Sequence, residues 1–95
     1  MNVSLKYLTD KVFAIIPLIE DDTECDNLAR YINTIIIEAN GVQVRYKKLY
    51  KSKNFQSVIN TLYYLYDNVN SMDFATYRRE VLKICNILNK LAVSK

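Results

Sequence analysis

The stretch SMDFATYRREVLKICNILNKL, residues 71–91, decides the fold because its apolar side chains recur at helical spacing. They are separated alternately by three and four residues, which is the seam of helices that pack at shallow angles. These residues are Phe74, Tyr77, Val81, Ile84, Leu88 and Leu91. Asp73 is placed to cap the helix, with Met72 and Tyr77 on either side of it as a hydrophobic staple. The stretch therefore predicts an amphipathic helix over 73–93.

Three earlier segments show the same 3.6-residue period, each with one apolar face. They predict helices over 4–19, 23–51 and 54–69, joined by short turns. The apolar faces consist of Leu5, Leu8, Val12, Ile15, Ile16 and Ile19 in the first helix; Cys25, Leu28, Ile32, Ile35, Ile36, Ala39, Val42, Tyr46, Leu49 and Tyr50 in the second; and Phe55, Val58, Ile59, Leu62, Leu65, Tyr66 and Val69 in the third. Such helices pack most simply as an antiparallel up-down four-helix bundle, so we expect one all-α domain over 1–95.

Two positions predict irregularities inside these helices. Pro17 should kink the first helix or end it near Ile16. The dipeptide at 40–41, Asn-Gly, is typical of a helix end, yet the apolar stripe continues beyond it without a phase slip. We therefore favour one second helix that reaches about Lys51, with a break at 40–41 as the alternative.

The composition argues against an enzyme. The chain has no His, the residue most often used as a general base and as a metal ligand. Gly41 is its one glycine, so a glycine-rich phosphate cradle cannot form. Cys25 and Cys85 show no C-x-x-C spacing and fall on apolar stripes, which predicts two small buried hydrophobes in a reducing compartment, with a disulfide between them as the alternative. We expect neither a cofactor nor a metal.

Membrane insertion is not predicted either. The longest apolar run, Val12 to Ile19, has eight residues and contains Pro17, whereas a spanning helix needs about 20. The run also lacks the flanks of a signal peptide. We therefore expect a cytoplasmic protein.

The charges are separated along the chain although the net charge is only +3. Residues 20–26 hold five carboxylates and no base, and Thr23 or Asp22 is expected to cap the second helix there. These carboxylates lack the glycine and terminal glutamate of a Ca²⁺ loop. Residues 41–66 hold five bases and no acid, and these form a predicted basic patch of Arg45, Lys47, Lys48, Lys51 and Lys53.

The basic patch supports two interpretations. Lysines, arginines and tyrosines together are typical of a nucleic-acid surface, on which cations neutralise phosphates and aromatic rings stack on bases. However, Tyr46, Tyr50 and Tyr66 are expected on apolar stripes, which leaves mainly Tyr64, with Tyr63 beside it, free to stack. A solvated charged face is therefore favoured, and RNA or DNA binding is the alternative.

The polar side of the last helix is the candidate partner-binding site. It carries Arg79, Lys83, Asn86 and Lys90 at spacings of four, three and four, opposite the apolar seam. This stripe, with Tyr64, suits an acidic protein or the anionic face of a membrane, and a simple solvated face is the plainer alternative. Ile37 and Ile87 are expected to project away from the seams as further contact points.

Residues 57–88, SVINTLYYLYDNVNSMDFATYRREVLKICNIL, resemble the second half of the immunity proteins of pediocin-like (class IIa) bacteriocins. In that family a helix rich in Leu and Tyr precedes a polar turn, an F-x-x-Y helix start and a Glu-Leu/Val run. The matching residues here are Phe74, Tyr77, Glu80, Val81 and Leu82. The resemblance implies a cytosolic, non-catalytic four-helix bundle that recognises a bacteriocin-engaged sugar-transporter receptor at the inner membrane face, with specificity in the C-terminal half.

Overall fold

The computed structural model describes residues 2–93, which fold as an all-helical protein. These residues form α1 (Asn2–Phe13), α2 (Ile15–Glu20), α3 (Cys25–Arg45), α4 (Lys47–Tyr50), α5 (Lys53–Asp67) and α6 (Phe74–Val93). The predicted all-α class is confirmed. The number of helices differs from the prediction because the predicted first and second helices are each divided in two.

The first division lies at Ala14, a turn residue between α1 and α2. Pro17 cannot donate the backbone hydrogen bond that would reach the carbonyl of Phe13, and its ring crowds that carbonyl. The helix therefore restarts with Pro17 in its first turn, where a missing N–H does not matter. The predicted interruption is present, but it precedes Ile16, which lies inside α2.

The second division lies at Tyr46, not at 40–41. α3 runs through Gly41 without a break, as the unbroken apolar stripe predicted. It ends at Arg45, however, and not near Lys51. Tyr46 is extended, with φ −119° and ψ 114°, and its ring packs partly buried against the core. Beyond this extended residue, α4 buries Leu49 in the core, as predicted, but leaves Tyr50 exposed.

The start of α3 also differs from the prediction. The N-cap position is Glu24, which makes no side-chain capping hydrogen bond, so neither Thr23 nor Asp22 is the cap. Asp22 instead has a left-handed backbone with φ 56°. Aspartate is among the few residues that tolerate this conformation, which turns the chain between α2 and α3.

The last two helices begin at capped positions. The Ser52 hydroxyl accepts a 3.1 Å hydrogen bond from the Phe55 N–H at the start of α5. At the start of α6, the Tyr77 N–H donates a 3.0 Å hydrogen bond to the Asp73 carbonyl, so Asp73 occupies the predicted cap position. Hydrogen bonding to the Thr76 side chain also holds the pKa of the Asp73 carboxyl below its ordinary value.

The long helices contact one another in pairs: α1 packs on α3 and α6, and α5 packs on α3 and α6. The Cys25 thiol lies 3.5 Å from the Val69 carbonyl, while the Gln43 side chain donates a 2.9 Å hydrogen bond to Gln56. The start of α3 therefore meets the end of α5 and its end meets the start of α5, so the two helices are antiparallel.

One apolar core fills the space between the helices. Its buried residues are Leu5, Leu8, Val12, Ile15, Ile16, Leu28, Ile32, Ile35, Ile36, Ala39, Val42, Leu49, Phe55, Val58, Ile59, Leu62, Leu65, Tyr77, Val81, Ile84, Cys85 and Leu88. Most residues of the predicted stripes lie in this core, which therefore buries one face of each long helix.

Five residues face differently from the prediction. Tyr50, Tyr66 and Phe74 are exposed, and each lies in the first or last turn of its helix. Cys25, the first residue of α3, is also exposed, so Cys85 is the buried thiol, and both cysteines are free. Ile87, expected to project outward, is half-buried against the core.

Candidate binding surface

The exposed face of α6 carries the four residues expected from the sequence. Arg79, Lys83, Asn86 and Lys90 are all exposed, and together they line a shallow depression on the surface. Their spacings of four, three and four keep them on one side of the helix. The structure therefore brings together the predicted polar stripe, called here the α6 surface.

The depression has further lining residues that were not selected from the sequence. Arg78 adds a fourth cation beside Arg79, and Ala75 lies at the N-terminal end. Leu82 and Ile87 flank the stripe and are half-buried. Arg78 could have been found from its position four residues before Leu82, which places both on one side of α6. The extent to which Leu82 and Ile87 are buried depends on how closely α1 and α5 approach α6. The helical period does not show this distance.

The electrostatics of the α6 surface are positive. Lys83 lies 3.6 Å from Glu80, three residues earlier, in an ion pair whose lysine side chain is 57% exposed and whose glutamate is 19% exposed. Such a surface pair contributes little to stability, but it neutralises one cation. Among residues 2–93, Arg78, Arg79 and Lys90 form no salt bridge. Three cations on this face therefore stay available to an acidic group.

Tyr64 lies on the neighbouring helix. It is exposed on α5, as predicted, but it does not line the depression on α6. The depression is therefore formed without Tyr64, which was grouped with the α6 cations as a partner-binding residue.

The predicted basic patch lies at one end of the molecule. Arg45, Lys47, Lys48, Lys51 and Lys53 are all exposed, and they follow the chain from the end of α3 through α4 to the start of α5. Tyr50 is 68% exposed among them, contrary to its expected burial. This end of the molecule therefore presents both cations and an aromatic ring to solvent.

The five carboxylates of residues 20–26 lie at the other end. The 21 residues of α3 separate them from the basic patch, a distance of about 31 Å along the helix axis. The molecule measures 38 × 20 × 19 Å, so this separation runs along its long axis. The protein is therefore an electric dipole, acidic at the α2–α3 turn and basic around α4.

A second depression, with a cavity volume of about 710 Å³, lies between α1 and α6. Lys6, Thr9 and Phe13 line one side, and Leu82, Cys85 and Asn86 are among those on the other. Leu82 and Asn86 also border the depression on the α6 surface, so the two depressions are adjacent.

Cys85 is a buried thiol at the base of this groove. Desolvation by burial raises its pKa to about 11, and the nearby Asp10 carboxylate acts in the same direction. Its sulfur lies 3.9 Å from the Thr9 carbonyl oxygen. A raised pKa lowers the fraction of the reactive thiolate at neutral pH, and the Cys85 side chain packs in the apolar core.

Neither a metal-binding cluster nor a membrane-spanning helix is found among residues 2–93. No group of three or more His, Cys, Asp or Glu residues in that range is arranged to hold a metal ion. Across the same residues, every helix is too short or too polar to traverse a bilayer.

Known proteins provide no guide to the role of this surface. No protein-family model, curated protein or solved structure matches the chain.

Proposed function

We propose that this chain is a small, non-enzymatic binding protein, an antiparallel up-down four-helix bundle that recognises an acidic protein partner through its α6 surface. The observation that carries the proposal is the continuous exposed stripe of Arg79, Lys83, Asn86 and Lys90 above half-buried Leu82 and Ile87. Cations can steer and orient an acidic partner, while the apolar flanks supply the area that a specific interface needs.

We propose that the protein acts in the cytoplasm. The resemblance of residues 57–88 to immunity proteins of pediocin-like bacteriocins supports a specific version, in which the partner is a bacteriocin-engaged transporter at the inner membrane face. The α6 surface lies largely within that segment. A partner embedded in a membrane would also place the cations of α6 close to anionic lipid.

Two charge-matched variants test which surface acts. The first, Arg79→Ala/Lys83→Ala/Lys90→Ala, removes the cations of the α6 stripe. The second, Lys47→Ala/Lys48→Ala/Lys51→Ala, removes three cations from the basic patch. Each lowers the net charge from +3 to 0, so any difference between them reflects position and not total charge.

A killing assay checks the immunity version of the function. A bacteriocin-sensitive strain that expresses the wild-type chain or the basic-patch variant should survive, whereas the α6 variant should lose protection. Unchanged killing of the wild-type strain across a panel of pediocin-like bacteriocins rules this version out.

Affinity capture at two salt concentrations checks the wider function. The wild-type chain and the basic-patch variant should retain the same acidic protein at low salt, and the α6 variant should lose it. Retention of that partner by the α6 variant contradicts the proposed surface. Liposomes of phosphatidylglycerol and phosphatidylcholine, compared with phosphatidylcholine alone, measure how much of the binding is to lipid.

A second candidate function is binding to RNA or DNA through the basic patch. The observation that favours it is the exposed Tyr50 among Lys47, Lys48 and Lys51, since an exposed ring beside cations can stack on an unpaired base. This function predicts affinity for single-stranded oligonucleotides that falls steeply with salt and is lost in the basic-patch variant but not in the α6 variant. A flat fluorescence-anisotropy titration at low salt excludes it.

A further inference from the structure

The face formed by α3 and α5 is uncharged over most of its length. On α3, Glu38 is the only charged residue between Arg30 and Arg45. Glu38 follows Tyr31 by seven residues and so lies on the same side of α3, where the Tyr31 hydroxyl donates a 2.8 Å hydrogen bond to the Lys11 carbonyl of α1. Glu38 therefore points toward α1 and away from α5.

The neighbouring part of α5 is also uncharged, with no charged residue between Lys53 and Asp67. The hydrogen bond from Gln43 to Gln56 sets the register of the two antiparallel helices. One turn further from this contact, Asn40 on α3 comes level with Asn60 on α5. The shared face therefore consists of amides and apolar side chains.

Apolar residues on this face are open to solvent. Ile37 is 64% exposed and Val44 is 76% exposed on α3, and Tyr63 and Tyr64 are about half-exposed on α5. Depletion of charge, with aromatic and aliphatic side chains and a few amides, is the composition of the centre of a protein interface. These four residues with Asn60 are called here the α3–α5 face.

We propose that the α3–α5 face is the contact surface of a homodimer. In a two-fold symmetric dimer the same face meets itself, so it must be complementary to its own copy. A charged face repels its copy, whereas an uncharged face does not. The side-chain amide of Asn60 both donates and accepts hydrogen bonds, so it can pair with another amide across such an axis.

The charge separation along the molecule selects the orientation of the two copies. If the two-fold axis runs across the helices, α3 of one copy lies antiparallel to α3 of the other. The acidic end at residues 20–26 then lies over the partner's basic patch around α4. If the axis ran along the helices, like ends would meet and repel. The antiparallel arrangement is therefore the one that the charges favour.

This dimer leaves the α6 surface free. α6 contacts α1, α2 and α5 but not α3, so it lies diagonally across the core from α3. A dimer formed through α3 and α5 would therefore present two α6 surfaces on its outer sides. The inference is independent of the proposed function, because it concerns a different face of the molecule.

The test is the mass of the protein in solution, measured by sedimentation equilibrium from micromolar to millimolar concentration. The wild-type chain should approach twice the 11.1 kDa of the monomer as concentration rises. Ile37 lies near the middle of the face and so close to its own copy, which means that Ile37→Glu brings two carboxylates together. This change should raise the dimer Kd at least about tenfold.

Two controls keep the result interpretable. Val3→Glu also introduces an acid at an exposed apolar residue, 83% exposed on α1, and should leave the dimer intact. An equimolar mixture of Ile37→Glu and Ile37→Lys should dimerise more tightly than either variant alone, because opposite charges then meet across the axis. Far-UV circular dichroism checks that each variant is folded.

Each result tests a different part of the proposed dimer. A wild-type chain that stays monomeric at millimolar concentration overturns the dimer. A dimer that persists in Ile37→Glu contradicts the α3–α5 face as the contact surface. A mixture of Ile37→Glu and Ile37→Lys that associates no better than either variant alone contradicts the antiparallel orientation. Neither result bears on the capture and killing assays that test the α6 surface.

Discussion

The Tyr77 hydroxyl donates a 2.6 Å hydrogen bond to the backbone carbonyl of Leu65. Leu65 lies in the last turn of α5 and Tyr77 in the first turn of α6, so the bond joins two helices across the connection between them. Both residues are buried, and burial raises the pKa of the Tyr77 hydroxyl well above its ordinary value. The hydroxyl therefore stays protonated and remains a donor at physiological pH.

The substitution Tyr77→Phe should lower the free energy of unfolding by about 1 kcal/mol. It removes the buried hydrogen bond but keeps the ring, and the Leu65 carbonyl retains only a longer 3.3 Å bond from the Asn68 N–H. Urea unfolding followed by circular dichroism measures the change. Tyr64→Phe is the matched control, because its hydroxyl is on the exposed side of α5, and it should be close to neutral. Equal effects from the two substitutions would contradict a role for the Tyr77 bond.

Gly41→Ala should raise the free energy of unfolding by about 0.5 to 1 kcal/mol. Gly41 lies inside α3 with a negative φ, and a methyl group at this position would meet no atom within 4 Å. Alanine therefore fits the backbone and reduces the freedom of the unfolded chain. A lower thermal midpoint for this variant would show that α3 is broken at 40–41 in solution.

Leu88→Ala should lower the free energy of unfolding by about 2 to 5 kcal/mol, since it leaves a cavity in the core. Leu88 is fully buried on α6, whereas Arg79 is exposed on the opposite side of the same helix. Arg79→Ala should therefore change stability by less than about 0.5 kcal/mol. Chemical denaturation of the two variants measures both changes. A larger loss of unfolding free energy in Arg79→Ala than in Leu88→Ala would mean that α6 turns its other face to the core.

The protein should lose stability as the pH rises from about 8.5, the ordinary pKa of a thiol, toward about 11. The folded-state pKa of Cys85 is raised to about 11, so the unfolded chain releases this proton at a lower pH than the folded protein does. The folded state then binds more protons, and the free energy of unfolding falls with pH across this window.

The slope of unfolding free energy against pH tests this assignment under reducing conditions. Cys85→Ala should flatten the slope between pH 8.5 and 10, whatever packing it loses at any single pH. Tyr77 adds a similar loss near the upper end of the range in both proteins, because burial also raises its pKa. An unchanged slope in Cys85→Ala would show that its thiol is open to water.

The binding surface was predictable only in part. The stripe from Arg79 to Lys90 follows from the position of the apolar seam, because the exposed side of a helix lies opposite its buried side. That the depression is lined without Tyr64 depends on how α5 packs against α6. The groove between α1 and α6 depends on the packing of two segments that are distant in the sequence.

By itself, the sequence determined the helical class, most of the core and the start of α6 directly after Asp73, because apolar spacing and capping act within a few residues. Only the tertiary structure decided that the chain turns at Tyr46 and that Tyr50 and Cys25 are open to solvent. The helical period identifies which side chains share a face. It does not show where a neighbouring helix stops covering that face, since coverage depends on contacts between distant segments.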